Sequence, residues 1–162
     1  CLVVRRPGWP FCREFSLTLS VLAANFGEYL EDIPIFGVIK ETGVDDSGLA
    51  EFQRDYFPYP LYRDQSYVFY RALGDRKLAV SFLLNPFLIF HVAFDSWQRL
   101  MRKKIGGNIK GEGIVQGGII LFDRSGAPIA MYQEETGKDL PVTDLVDAVT
   151  YARRSQENRN KS

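Results

Sequence analysis

The chain has 162 residues, 46% of them hydrophobic, which is enough for one domain with a sizeable core. Lysine and arginine total 20 and aspartate and glutamate total 20, so no global field selects nucleic acid or an anionic surface as partner. Two cysteines exclude a disulfide scaffold and fit a reducing compartment, so a cytoplasmic location is expected. The absence of an initiator Met adds the expectation of a fragment or processed form, truncated at its N-terminus, so a missing targeting segment says little about compartment.

Leu2–Arg5 is a short apolar run and Ile35–Ile39 is another, interrupted only by Gly37. Runs of this kind, rather than alternation, predict strands covered on both faces and paired in parallel. Between them Phe15, Leu19, Leu22, Phe26 and Leu30 recur at helical spacing and predict an amphipathic helix from about Glu14 to Glu31. This strand-helix-strand unit puts Cys12 at the carboxyl end of its first strand, on the edge where open α/β sheets build their sites. Asp46 and Ser47 are expected to cap a short helix through Asp55, and Asp64 to cap a helix ending at Gly74, after a brief strand at Leu61-Tyr62. Ile119–Phe122 and Ile129–Tyr132 flank Asp123-Arg124-Ser125-Gly126 and predict an antiparallel hairpin. Val142, Leu145, Val146, Val149 and Ala152 mark a closing helix, followed by a polar, frayed tail over 155–162. Together these elements predict a mixed α/β sheet flanked by helices, in an order that suits the thioredoxin fold, over residues 1–154.

Residues 78–94 are strongly apolar but short for a membrane span and broken at Asn85-Pro86. A helical apolar insertion around 78–104 is expected, covering the core or forming a hydrophobic mouth beside the thiol. Contact with a membrane surface or another subunit is the alternative, because Arg99, Arg102, Lys103 and Lys104 follow directly. Six glycines fall within Gly106–Gly118, but their spacing does not match a phosphate-binding loop, and a tight turn beneath the active edge is expected. His91 is the single histidine, so no metal-ligand cluster is indicated. Tyr56, Tyr59 and Tyr62 are read as core and turn packing.

Cys12 carries the chemistry. A free thiol of pKa about 8.5 is only ~3% thiolate at pH 7, and backbone N–H groups at a helix start favour the charged form. Arg6 and Arg13 are candidates to lower the thiol pKa further. The opposing reading is an inert thiol, packed under Trp9 and Phe11 and raised in pKa by burial.

The run Cys1-Leu2-Val3-Val4-Arg5-Arg6-Pro7-Gly8 through Cys12-Arg13-Glu14 resembles the peroxiredoxin-like 2 family. These are thioredoxin-fold relatives of the AhpC/TSA antioxidants, a group that includes prostamide/prostaglandin F synthase. Val38-Ile39-Lys40-Glu41, Leu61-Tyr62-Arg63-Asp64, and Gly107-Asn108-Ile109-Lys110-Gly111-Glu112-Gly113 with Gly117-Gly118 match in the same order. Many members carry C-x-x-C where this chain has Trp9-Pro10-Phe11-Cys12, so Trp9 stands in place of the first cysteine and dithiol exchange is lost. Cys1 is separated from Gly8 by roughly 20 Å of extended chain, too far for the ~7 Å that a disulfide allows.

The resemblance implies a thiol-dependent, peroxiredoxin-like antioxidant. Cys12 would attack a peroxide oxygen and the sulfenic acid would be cleared by an external thiol or thioredoxin-type reductant. It also places Gln116 near where a polar group positions a substrate oxygen, with a surface or turn role as the other reading. Two alternatives stand beside this one: reduction of a prostaglandin- or prostamide-type lipid endoperoxide, and a non-catalytic redox-regulatory or binding module that has lost the C-x-x-C pair. No bound cofactor, metal or nucleic-acid partner is expected.

Overall fold

The computed structural model describes residues 1–25, 33–77, 94, 96–108, 110, 115–135, 138 and 140–160, with side chains described to 154. Five strands form one sheet. They are β1 (Leu2–Val4), β2 (Gly37–Ile39), β3 (Leu61–Arg63), β4 (Gly118–Phe122) and β5 (Pro128–Gln133). The spatial order is β3-β2-β1-β4-β5, with β1 central. β1 runs parallel to β2, and β2 to β3, while β4 is antiparallel to both β1 and β5. The helices are α1 (Pro10–Asn25), α2 (Asp46–Asp55), α3 (Val68–Ala72) and α4 (Val142–Asn160). Three parallel strands followed by an antiparallel hairpin, with helices on the sheet faces, make this the expected thioredoxin-like α/β fold.

Strand alternation divides the core into two layers. Leu2, Val4, Ile39 and Ile119 pack with Cys12, Phe15 and Leu19 of α1 and with Phe52 and Phe57; Val142 and Leu145 of α4 close over the same face. Val3, Val38 and Ile120 point the other way, against Tyr70 and Leu73. Each such aliphatic side chain contributes roughly 1.5–3 kcal/mol when fully buried. Tyr70 is wholly buried, and its hydroxyl donates to the Val4 carbonyl at 2.6 Å, so its one polar atom is satisfied at the end of β1.

Several boundaries differ from the sequence expectation for local reasons. α1 begins at Pro10, not Glu14, because proline's fixed φ suits the first helical position, and the Arg13 N–H already bonds the Trp9 carbonyl at 3.1 Å. Cys12 therefore sits inside the first turn of a helix. The remainder of the expected helix, 26–31, lies outside the described residues. The cap of α2 is Asp45, whose carboxylate accepts from the Gly48 N–H at 3.3 Å, while Asp46 is drawn back to accept from the Gly43 N–H at 2.8 Å. The cap position of α3 is Tyr67, at φ 55°, and the helix ends at Ala72, not Gly74; the Asp64 carboxylate, three residues before the cap, accepts from the Val68 and Phe69 N–H groups at 3.0 and 2.9 Å.

The hairpin turn is built on Asp123, which accepts from the Ser125 and Ala127 N–H groups at 2.8 and 3.0 Å. α4 runs on to Asn160, past the expected frayed boundary at 154. Most of the apolar insertion, 78–93, lies outside the described residues; an antiparallel bridge joins Lys77, just before it, to Val115. Residues 96–102 are helical. Phe94, Trp97 and Met101, spaced along one helical face, are each more than half exposed. Among the described residues no helix is long and apolar enough to cross a membrane.

Candidate active site

One edge of the sheet collects charge. Arg5 follows β1, Lys40 follows β2, Asp64 follows β3 and Glu134 follows β5, while Gln116 and Gly117 lead into β4. All six lie at this edge because β4 alone runs antiparallel to β1, β2 and β3, so its start meets their ends, and β5, antiparallel to β4, ends where they do. α1 also begins here. Arg5, Lys40, Asp64, Gln116 and Glu134 are all buried, an arrangement that a domain keeps only if its charges are paired or hydrogen-bonded.

Cys12 is 5% exposed and is a free thiol. Burial pushes its pKa far above the usual thiol range, and the charge of Glu134 pushes the same way. The Arg6 backbone N–H and the charges of Arg5 and Lys40 pull it down, but by less. Desolvation therefore outweighs the helix-start and cation effects, and the thiol is protonated at neutral pH. Glu134 has the same problem, since its charged form is also an anion. Burial raises its pKa, opposed by Arg5, the Gly117 N–H, Lys40 and Arg76.

Arg5 and Glu134 form the central pair, 3.8 Å apart, with side chains 4% and 9% exposed. The Gly117 N–H donates to the Glu134 carboxylate at 3.2 Å, and the Glu134 N–H returns a bond to the Gly117 carbonyl at 3.0 Å. Gly117 is required here, since a Cβ would collide with the Val3 carbonyl oxygen. Lys40 donates to the Val115 carbonyl at 3.3 Å and its ammonium lies 5.4 Å above the Tyr70 ring. Trp9 stands within cation–π reach of two guanidinium groups, Arg5 at 5.4 Å and Arg6 at 5.3 Å from its ring centre. Its indole N–H is buried and finds no acceptor among the described residues.

The arginines named from the sequence do other work. Arg6 reaches the thiol with its backbone N–H, while its guanidinium stacks on Trp9. Arg13, 1% exposed, donates to the Pro7 carbonyl at 3.1 Å, the Gly106 carbonyl at 3.2 Å and Glu51 at 2.8 Å, and covers Tyr56 at 5.0 Å. One residue is about 100° of helix, so Arg13 is turned away from Cys12 and ties α1 to α2 and the glycine loop. Glu14 takes the next direction and binds Arg99 and Lys103 at 2.8 and 2.7 Å, which pins the helical segment 96–102 to α1. Gln116 is buried at the edge, its N–H bonded to the Arg76 carbonyl at 2.8 Å. Of the glycine loop, residues 109 and 111–114 lie outside the described residues; at its start the Asn108 N–H donates to the Gly8 carbonyl, in the turn after β1, at 2.7 Å.

The sequence reading passed over Arg5, Lys40 and Glu134. Their signal is a charged residue immediately after a strand, on the edge already expected to carry the site. His91 lies outside the described residues. Among the described residues no group of three or more His, Cys, Asp or Glu side chains is placed to hold a metal.

Comparison with known proteins agrees with this architecture. Peroxiredoxin-like 2A from Bos taurus is 27% identical over 152 residues, covering 91% of this chain and 63% of that protein. Its counterpart from Xenopus tropicalis is 28% identical over 149 residues, covering 91% and 61%. Prostamide/prostaglandin F synthase from Homo sapiens is 28% identical over 154 residues, covering 92% and 74%. The chain thus spans about three fifths of the length of the peroxiredoxin-like 2A relatives. No solved structure matches. The model of the AhpC/TSA antioxidant enzyme family matches residues 18–136, beginning just downstream of Cys12. That span is most of the sheet and its helices, and on it the chain belongs to the AhpC/TSA antioxidant enzyme family.

Proposed function

We propose that the protein is a thiol-dependent redox protein that reduces peroxides with Cys12 as its single reacting sulfur. The observation that supports this most is the convergence, at the sheet edge, of a thiol in the first turn of α1 with the buried cations Arg5 and Lys40. Positive charge and a backbone N–H directed at sulfur stabilise a thiolate once the proton has gone. The membership of an antioxidant enzyme family supports the same reading. With Trp9 in place of a neighbouring cysteine, the sulfenic acid has no local partner, so an external thiol or thioredoxin-type protein would restore the thiol.

The test is peroxide consumption with glutathione as reductant, comparing the wild type with Cys12→Ser. Turnover in the wild type that disappears in the variant supports the proposal; equal rates overturn it. Two further readings have their own supporting observations. An apolar cavity of about 70 Å³ between α1, β4 and α4, lined by Leu19, Leu22, Ile119, Leu145 and Val149, lies on the same sheet face as the thiol. It suits an acyl chain, and a rate greater for a lipid endoperoxide than for hydrogen peroxide would favour that substrate class. The burial of Cys12 beside Trp9 supports the non-catalytic module, and absence of turnover with every peroxide and thiol would favour it.

A further inference from the structure

We propose that Glu134 is the proton acceptor for the Cys12 thiol, acting across a small cavity that the two side chains share. This inference rests on the thiol-redox reading above and supplies the step that reading lacks, since a protonated thiol is a poor nucleophile.

The cavity measures about 10 Å³, room for a single water, and lies between α1, the ends of β1 and β5, and the start of β4. Cys12, Phe15 and Ser16 line it from α1, Arg5 from beyond β1, Gly118 from β4 and Glu134 from beyond β5. Glu134 is the one carboxylate among these lining residues. The Gly117 N–H and the Arg5 guanidinium hold it in place, on a strand end with little freedom to move. The charged or titratable groups acting on Glu134 are Arg5 from β1, Lys40 from β2, Arg76 from the segment after α3, and Cys12 from α1. Tyr132 lies two residues back in its own strand and feels the same charge. Burial lifts both members of the pair above their ordinary values, which brings the carboxylate closer to being a useful base at neutral pH.

In the step itself the Glu134 carboxylate takes the Cys12 S–H proton, directly or through one water. The thiolate attacks a peroxide oxygen, an S–O bond forms, the O–O bond breaks, and its electron pair leaves on the departing alkoxide or hydroxide. That anion takes the proton back from Glu134. Sulfur is oxidised from thiol to sulfenic acid and the peroxide is reduced to alcohol or water. Two equivalents of external thiol then return Cys12 to the thiol, leaving their own disulfide and one water.

The test is the rate of Cys12 modification by iodoacetamide from pH 5 to pH 9, which needs no peroxide turnover. A proton acceptor predicts a rise to a plateau as Glu134 ionises, then a Glu134→Gln variant slower by ten-fold or more at pH 7 without that rise, with Glu134→Asp recovering part of the rate. A purely electrostatic role predicts the opposite sign, because removing the negative charge makes the thiol easier to ionise and Glu134→Gln faster. A Glu134→Gln variant as fast as the wild type, or faster, overturns the proposal. Should Glu134→Gln fail to fold, the wild-type profile decides alone: a ten-fold climb per pH unit with no plateau also overturns it. A thiol that shows the plateau yet ignores peroxide would overturn the redox reading while leaving the Glu134 assignment supported.

Discussion

Cys12 and Glu134, both buried, line one small cavity, the thiol carried by the first turn of α1 and the carboxylate by the residue beyond β5. The two are 122 positions apart in a chain whose sheet places them together. Helix start, strand end and desolvation meet there, and the predictions below separate what each contributes.

Arg5 favours the charged form of Glu134 against the cost of burial. Arg5→Ala should cost up to about 3–5 kcal/mol at pH 7, because it removes the largest of the positive charges that offset a buried carboxylate. The loss should shrink as the pH is lowered. Without Arg5 the raised Glu134 pKa climbs further, so protonation relieves the stranded charge sooner. The double variant Arg5→Met with Glu134→Gln should recover most of the stability. Urea denaturation at pH 5 and pH 7 measures all three variants, and an Arg5→Ala loss independent of pH would contradict the assignment.

Arg13 is a structural staple, not a thiol activator. Arg13→Ala removes three hydrogen bonds and a stacked aromatic contact, and about 2–4 kcal/mol of stability should go with them. Its partner Glu51 is partly exposed, so no charge is stranded in the interior. The pH dependence of Cys12 alkylation in this variant should match the wild type where both are folded. A shifted profile would mean that the Arg13 charge does reach the thiol.

The buried thiol makes stability fall at alkaline pH. Above the ordinary thiol value of about 8.5 the unfolded thiol releases a proton that the folded one holds, so unfolding releases a proton and stability declines as pH rises. The slope approaches about 1.4 kcal/mol per pH unit for this one group. Cys12→Ser should lose that slope. Thermal unfolding of both proteins from pH 8 to pH 10.5 checks it, with parallel curves as the contrary result.

Trp9 lies three positions before Cys12. Trp9→Cys should form a disulfide to Cys12, seen as a loss of two thiols on oxidation and a mass decrease of about two hydrogen atoms, because residues in this spacing at a helix start lie on one side. It should also free Arg5 and Arg6 from the indole and cost about 1–2 kcal/mol in lost cation–π contact. Two free thiols persisting after oxidation would show that the first turn of α1 cannot bring the sulfurs together.

Much of the fold was legible because its signals are local. The apolar runs at Leu2–Val4 and Gly37–Ile39, the capping carboxylate of Asp64 and the Asp123 turn each announce themselves within a few residues. The site was legible only to its edge. Cys12 could be placed at a helix start from Pro7, Gly8 and Pro10, and the same signals argue for a lowered pKa. Its burial depends on how β1, β4 and α1 pack, which no local pattern encodes, and desolvation then outweighs the helix start. Arg13 and Glu14 show the same limit. Their sequence neighbours say nothing of Glu51 or Arg99, which are 38 and 85 positions away.

The central claim, that Cys12 is a reacting sulfur despite its burial, is tested most directly by its oxidation in the folded protein. Hydrogen peroxide is added at pH 7 in the presence of dimedone, and Cys12 and Cys1 are followed separately by mass spectrometry, with the urea-unfolded chain as reference. The account predicts sulfenic acid trapped at Cys12 faster in the folded chain than in the unfolded one, and no such adduct in Cys12→Ser. Slower trapping at Cys12 in the folded chain than in the unfolded one would contradict it and leave a shielded, inert thiol.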